Sequence, residues 1–288
     1  MKRVTLLTLW VLLLLAGVVL AQDTTVDEPT LLLYSTVERM LSGDMANAVD
    51  PRTVEADLEA FPPTWTVVGL GTTNQPMRNG ELMPDGAVAD IDFWWADPSS
   101  ATEADIIDIA PDAEEAAATP AAVTAGEPVD PEPEFPFLGL AIADPETAVV
   151  VTAEGVENIH VWLREVLEAE GITLAGLELD GTFGVVKTTV AYNIPLTGLD
   201  LSAGYVGDDY FRFGEYAPAT WHMNGLYAAD AELQPVISTA GNPVHLHGYQ
   251  PETQLGGHIA SAEATDVTVT IYPLNVIQQE LNDPPARG

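Results

Sequence analysis

Three of the chain's five histidines fall in one short stretch, "HLHGYQPETQLGGH", which runs from His245 to His258. His245 and His247 flank Leu246, and Val244 precedes them. On an extended strand this alternation throws both imidazoles onto one face. Gly256-Gly257, just ahead of His258, permits a tight return, so a hairpin can lay the third ring beside the first two. Three nitrogen ligands with one or two positions left open are the pattern of a catalytic zinc. A structural zinc takes four protein ligands, usually thiolates, and this chain has no cysteine. The other two histidines stand apart. His160 lies at the edge of an apolar helical stripe and His222 sits in "TWHMNG"; both read as packing residues.

The elements that must position such a centre are mostly strands. "LLLYSTVERMLSGDMAN", Leu31 to Asn47, places Leu33, Val37, Met40 and Leu41 at helical spacing and reads as partly helical. "TWTVVGL" (64–70) and "AVADIDFWW" (87–95) read as strands, and so do "FPFLGLAIA" and "TAVVVTA". Val156, Ile159, Leu163, Val166 and Leu167 follow a helical period that Gly171 ends. "TLAGLEL" is a strand, Asp180-Gly181 a turn, "TFGVVKTTVAY" the next strand, and "VTVTIYP" the last. Strands outnumber helices, which makes the fold class α/β in the mixed α+β sense.

Composition sets the surroundings. Lys2 and Arg3 precede an apolar run from Leu6 to Leu20 that ends in Val-Leu-Ala, so residues 1–21 read as a secretory signal. The rival reading of this segment is an uncleaved membrane anchor. The protein is then extracytoplasmic, either secreted or periplasmic, with no membrane contact beyond that segment. Without cysteine, disulfides, thiol nucleophiles and lipid attachment through a thiol are excluded. Nine basic residues against 44 acidic give a formal charge of −35. Such a surface repels nucleic acid and anionic lipid, and neither is expected as a partner. Residues 97–134 are rich in Ala, Pro and acid, and read as a solvated, flexible insertion.

Two metal architectures use His-x-His. In a cupin-type site His245 and His247 would be joined by Glu252, but the glycine expected seven residues later is Ile259. The stronger resemblance is to the α-acetolactate decarboxylases. "VHLHGYQPETQLGGHIASA" resembles that family's zinc hairpin, and "GLGTTNQPMRNGELMPDG" is similar to its Gly-x-Gly-Thr … Gly-Glu segment. "LELDGTFGVVKTTV" resembles the strand bearing the family's active-site arginine, and "LLLYSTVERMLSGDM" its first helix. The resemblance implies that residues 22–288 form two sheet-containing subdomains with zinc between them. It also implies a homodimer, no organic cofactor, and decarboxylation of a small hydroxy-keto acid, 2-acetolactate, to acetoin. It makes His245, His247 and His258 the zinc ligands, sets Glu81 beside the metal and turns Thr72 toward the substrate.

Two departures from the family pattern stand out. Thr189 occupies the arginine position, in Lys187-Thr188-Thr189, and the tail ends before the family's late glutamate. Threonine cannot supply arginine's two-pronged grip on a carboxylate. Lys187, Arg212 and Arg164 are the candidates to replace it. Two alternatives follow: a non-catalytic metal- or ligand-binding protein on the same fold, and a decarboxylase of a different hydroxy-keto acid.

Overall fold

The structure is a computed structural model that describes residues 26–41, 49, 51–72, 81–96, 106–107, 135–191, 211–253 and 256–280. Residues 1–21, read above as a secretory signal, most of the acidic stretch 97–134 and residues 73–80 lie outside the described residues. In chain order the strands are β1 (Thr30–Tyr34), β2 (Thr66–Thr72), β3 (Glu81–Ala87), β4 (Asp90–Ala96), β5 (Ile106–Ile107), β6 (Phe137–Ala143), β7 (Val149–Val156), β8 (Leu174–Ala191), β9 (Phe211–Tyr216), β10 (Ala219–Ala228), β11 (Val244–Tyr249), β12 (Gly256–Pro273) and β13 (Val276–Glu280). The helices are α1 (Val37–Leu41), α2 (Pro51–Leu58), α3 (Ile159–Ala169) and α4 (Gln234–Ile237). None of the described helices is long and apolar enough to cross a membrane.

Two sheets result. The first has the order β13-β1-β6-β2-β3-β4, and the second β5-β9-β8-β10-β11-β12-β7. In the second, β12 also pairs with β8, so β8, β10, β11 and β12 close into a ring. Closure sets strand partners on both sides of β11 at His247–Tyr249, where the histidine hairpin sits. The sheets meet through small residues: a Cβ added at Gly139 would touch Leu226, and one at Gly176 would touch Ala141.

The first sheet is covered on both faces, and this narrows the partly helical reading of Leu31 to Asn47 to α1, with Leu31–Tyr34 a strand and residues 42–47 outside the described residues. Leu31 and Leu33 face a core shared with Leu174, Leu226 and Tyr272 of the second sheet. Leu32 and Tyr34 face the opposite core, with Val54, Leu58 and Phe61. Every residue of β1 is buried, and a continuous apolar run carries no period by which helix and strand can be told apart. The helix starts only at Val37. "AVADIDFWW" is likewise not one strand, because β3 turns into β4 at Val88-Ala89. Within the acidic stretch, Ile106 and Ile107 pair with Phe213 and Gly214, as a short strand rather than loose chain.

α3 matches its pattern closely. The Asn158 side chain caps it by accepting from the amides of His160 and Val161, and Gly171 leaves it at φ 69°. Ile159, Leu163 and Leu167 are fully buried against the ring of strands. Burying each such side chain contributes about 1.5–3 kcal/mol.

Asp180-Gly181 is not a turn. β8 runs unbroken for 18 residues and bends at Gly181 (φ 153°), where an added Cβ would run into the Asp266 carbonyl. The register of β12 against β8 shifts three times between Ile259 and Asp266, so the bend is shared by both strands. Gly181→Ala should therefore lower stability by about 1–3 kcal/mol, measured as a drop in the urea midpoint at unchanged m-value.

Candidate metal centre

β11 and β12 form the hairpin, with His247 directly opposite His258. The three imidazoles meet: ring centres are 4.8 Å apart for His245 and His247, 4.9 Å for His245 and His258, and 5.9 Å for His247 and His258. Each ring is held by its Nδ1. His245 Nδ1 donates to the Ile237 carbonyl in α4, and His247 Nδ1 donates across the sheets to the Leu82 carbonyl at 2.9 Å. His258 Nδ1 lies 2.9 Å from Thr189 Oγ1.

Those partners decide the tautomers. A carbonyl can only accept, so His245 and His247 carry their proton on Nδ1 and keep a bare lone pair on Nε2. Burial disfavours the charged rings: it holds His245 at about 4, and it keeps His247 and His258 well below the usual histidine value, with neighbouring histidines adding to the effect. The Nε2 atoms of His245 and His247 then face each other at 3.2 Å as two acceptors with no proton between them. A cation resolves that conflict. Nitrogens bound tetrahedrally at ~2.0–2.1 Å stand ~3.3 Å apart, so the spacing fits a metal.

Glu81 comes from the first sheet. Its carboxylate is 3.3 Å from His247 Nε2, and burial pushes its pKa up to about 8. Thr72 is directly opposite Glu81 in β2 and shares its face, while its hydroxyl donates to Met40 Sδ at 3.1 Å. Lys187 lies elsewhere. Its Nζ is 3.2 Å from Glu215, with both side chains half-exposed. β9 places Glu215 opposite Lys187, and an opposite charge at the surface is where a lysine avoids desolvation. Arg164 is exposed on α3, and the side chain of Arg212 lies outside the described residues. Glu252 is exposed at the hairpin tip and takes no part in the centre. His160 is not a contented packing residue, since its Nδ1 is buried without a partner.

A second group escaped the sequence analysis. Asp85, Glu178 and His222 have ligand atoms all within 4.8 Å of one another and could hold a metal ion. His222 Nδ1 is 2.7 Å from Asp180, and its Nε2 is 3.1 Å from Asp85 on the other sheet. Burial alone would lower its pKa, but hydrogen bonds to Asp180 and Asp85, together with their charges, raise it to about 10. As an imidazolium donating from both nitrogens, His222 has no lone pair to offer. A metal there must displace a proton and at least one carboxylate contact. The signal for this group was present in period 2: Glu81 and Asp85, Glu178 and Asp180, and His222 and Asn224 each share a strand face.

His222 titrates near 6.5 in the ordinary state and near 10 here, so folding tightens its hold on the proton. The stability this contributes is fully present below pH 6.5 and is lost as pH rises through about 10. Urea unfolding at pH 6 and pH 10 should show a larger loss for the wild type than for His222→Gln.

No protein-family model and no curated protein sequence matches this chain. Solved structures do. α-Acetolactate decarboxylase from Bacillus subtilis strain 168 superposes with a TM-score of 0.60 at 15% identity, covering 89% of this chain and 90% of that one. A protein of unknown function from Staphylococcus aureus, described as similar to α-acetolactate decarboxylase, gives 0.57 at 14% identity over 87% and 88%. Identity this low speaks to architecture rather than activity. The chain therefore has the acetolactate decarboxylase fold, mainly β, with two sheets and few helices.

Proposed function

We propose that this protein is a zinc-dependent decarboxylase acting on 2-acetolactate to yield acetoin, with His245, His247 and His258 as the metal ligands. The observation that carries the reading is the pair of bare Nε2 atoms at 3.2 Å, with Glu81 beside them, in this fold. Zinc held there would act as a Lewis acid toward oxygens that gain charge as carbon dioxide leaves. The residues supply the rest. The bond to the carboxylate carbon breaks, and its electron pair moves to the carbonyl oxygen. The carbon left behind then needs one proton, which Glu81 is placed to give. Burial pushes the pKa of that carboxyl up to about 8, which favours the protonated form at neutral pH. Burial of the site between two sheets excludes water that would otherwise compete for the same carbon. The secretory signal sets the reaction outside the cytoplasm.

A second reading, a ligand-binding protein without turnover, is favoured by Thr189. It bonds to His258 and is buried, so no cation stands where the resemblance calls for arginine. Acetoin production from racemic acetolactate separates the two. The decarboxylase reading expects acetoin above a zinc-only blank, falling by about 10²–10⁴-fold in Glu81→Gln. Stoichiometric zinc with no acetoin leaves the binding protein.

Metal affinity should also show an unusual pH dependence. Ordinary histidines are protonated below about 6.5, and each costs about tenfold in affinity per pH unit there. Burial holds His245 at about 4 and the other two rings well below the usual histidine value, which favours neutral rings in mildly acid solution. Between pH 6.5 and 5.5 zinc affinity, measured by titration calorimetry, should fall much less than the roughly hundredfold expected for three ordinary histidines that are half protonated at the start.

A further inference from the structure

Asn224 is fully buried on β10, on the face that carries the histidines. It stands directly opposite His247 on one side and Glu178 on the other. Its Nδ2 donates across the sheets to the Pro84 carbonyl at 3.0 Å. That bond settles the orientation of the amide, since the reverse assignment would set two acceptors against each other. Oδ1 is left buried with no hydrogen-bond partner. Of the other buried polar atoms without a partner among the described residues, Trp221 Nε1 and Tyr227 Oη belong to the apolar core behind the sheet, and His160 Nδ1 lies on α3. Asn224 instead stands in the row that runs from Glu178 to His247, under the strand that bears Glu81 and Asp85.

A buried acceptor with nothing to accept costs free energy, and it is satisfied only by a donor brought in from outside. His245 and His247 cannot supply one, because they spend their N–H groups on carbonyls. Cross-strand neighbours have Cβ atoms about 4.5–5.5 Å apart, so a ligand at the histidine centre lies within reach of the Asn224 amide. The donor such a ligand would offer is a hydroxyl.

We propose that Asn224 Oδ1 is the acceptor for the hydroxyl of an α-hydroxy acid or α-hydroxy ketone bound at the histidine centre, and that it selects such ligands over analogues lacking the hydroxyl. This rests on the centre being a metal site that binds ligand, although not on turnover. A site built to receive a hydroxyl rejects the compound without one, because the acceptor is then left buried and unpaired. The Asn224–Pro84 bond gives the residue its rigidity: it ties the specificity group on one sheet to the strand that carries Glu81 on the other.

The test uses the full zinc-loaded protein and two isosteric probes, 2-hydroxyisobutyrate and pivalate, in which a methyl replaces the hydroxyl. Calorimetry on the wild type and on Asn224→Leu gives four affinities. The expected result is a preference for the hydroxy acid that shrinks about tenfold in the variant, the worth of one neutral hydrogen bond. A purely structural role for Asn224 would weaken both probes alike and leave their ratio unchanged. An unchanged ratio overturns the proposal, and so does a wild type that binds zinc but shows no preference. If the variant does not fold, a crystal structure of the wild type with zinc and 2-hydroxyisobutyrate decides instead. A hydroxyl oxygen within hydrogen-bond distance of Oδ1 supports the proposal, and one that bonds elsewhere overturns it. Failure to bind zinc would sink the reading of the centre itself. Absence of acetoin with the hydroxyl preference intact would sink only the decarboxylase.

Discussion

The hydrogen bond from His247 Nδ1 to the Leu82 carbonyl holds the functional architecture together. It joins β11 of one sheet to β3 of the other and fixes the tautomer of His247, turning its lone pair toward His245. Because Leu82 follows Glu81, the same contact sets the carboxylate 3.3 Å from the ring it serves. Without that bond the ring could rotate or change tautomer, and the two facing acceptors would no longer require a cation. The centre is thus built from both sheets, and neither alone contains it.

Electrostatics divides the interface between the sheets into two regions. Around the hairpin, burial disfavours the charged form of three histidines and pushes a carboxyl upward, so this region disfavours charge. One residue pair along the strands, the logic reverses. Asp85 and Asp180 hold His222 charged from opposite sheets, and Glu178, raised by burial and by the Asp85 charge, accepts from Tyr272. Asn224 lies between the two regions and belongs by hydrogen bond to the first sheet. Such partition is a common way to keep groups of similar type in different protonation states.

Thr189 shows how one substitution changes the chemistry available. In the resemblance to α-acetolactate decarboxylases this position carries a cation; here it carries a hydroxyl that orients His258. An outer partner of this kind raises the basicity of a metal ligand and fixes its direction. The residue therefore braces His258, and a hydroxyl cannot grip a carboxylate as a cation would.

The sequence by itself determined the local features: the His-x-His alternation, the paired glycines that permit the hairpin, the α3 stripe with its cap at Asn158, and the lack of any thiolate. These depend on spacing within a few residues, which strand and helix periods convert directly into faces. It misread Leu31–Tyr34 and Asp180-Gly181, because a run buried on both sides has no period and a glycine that bends a strand resembles one that reverses it. The tertiary structure alone decided that Lys187 belongs to Glu215, that Thr189 serves His258, and that Asp85 and Asn224 are within reach of groups nearly 140 residues away in the chain, as their contacts to His222 and Pro84 show. Those pairings depend on how one sheet is laid against another. That registration is set by small residues such as Gly139 and Gly176 at the contact, and no local pattern encodes it.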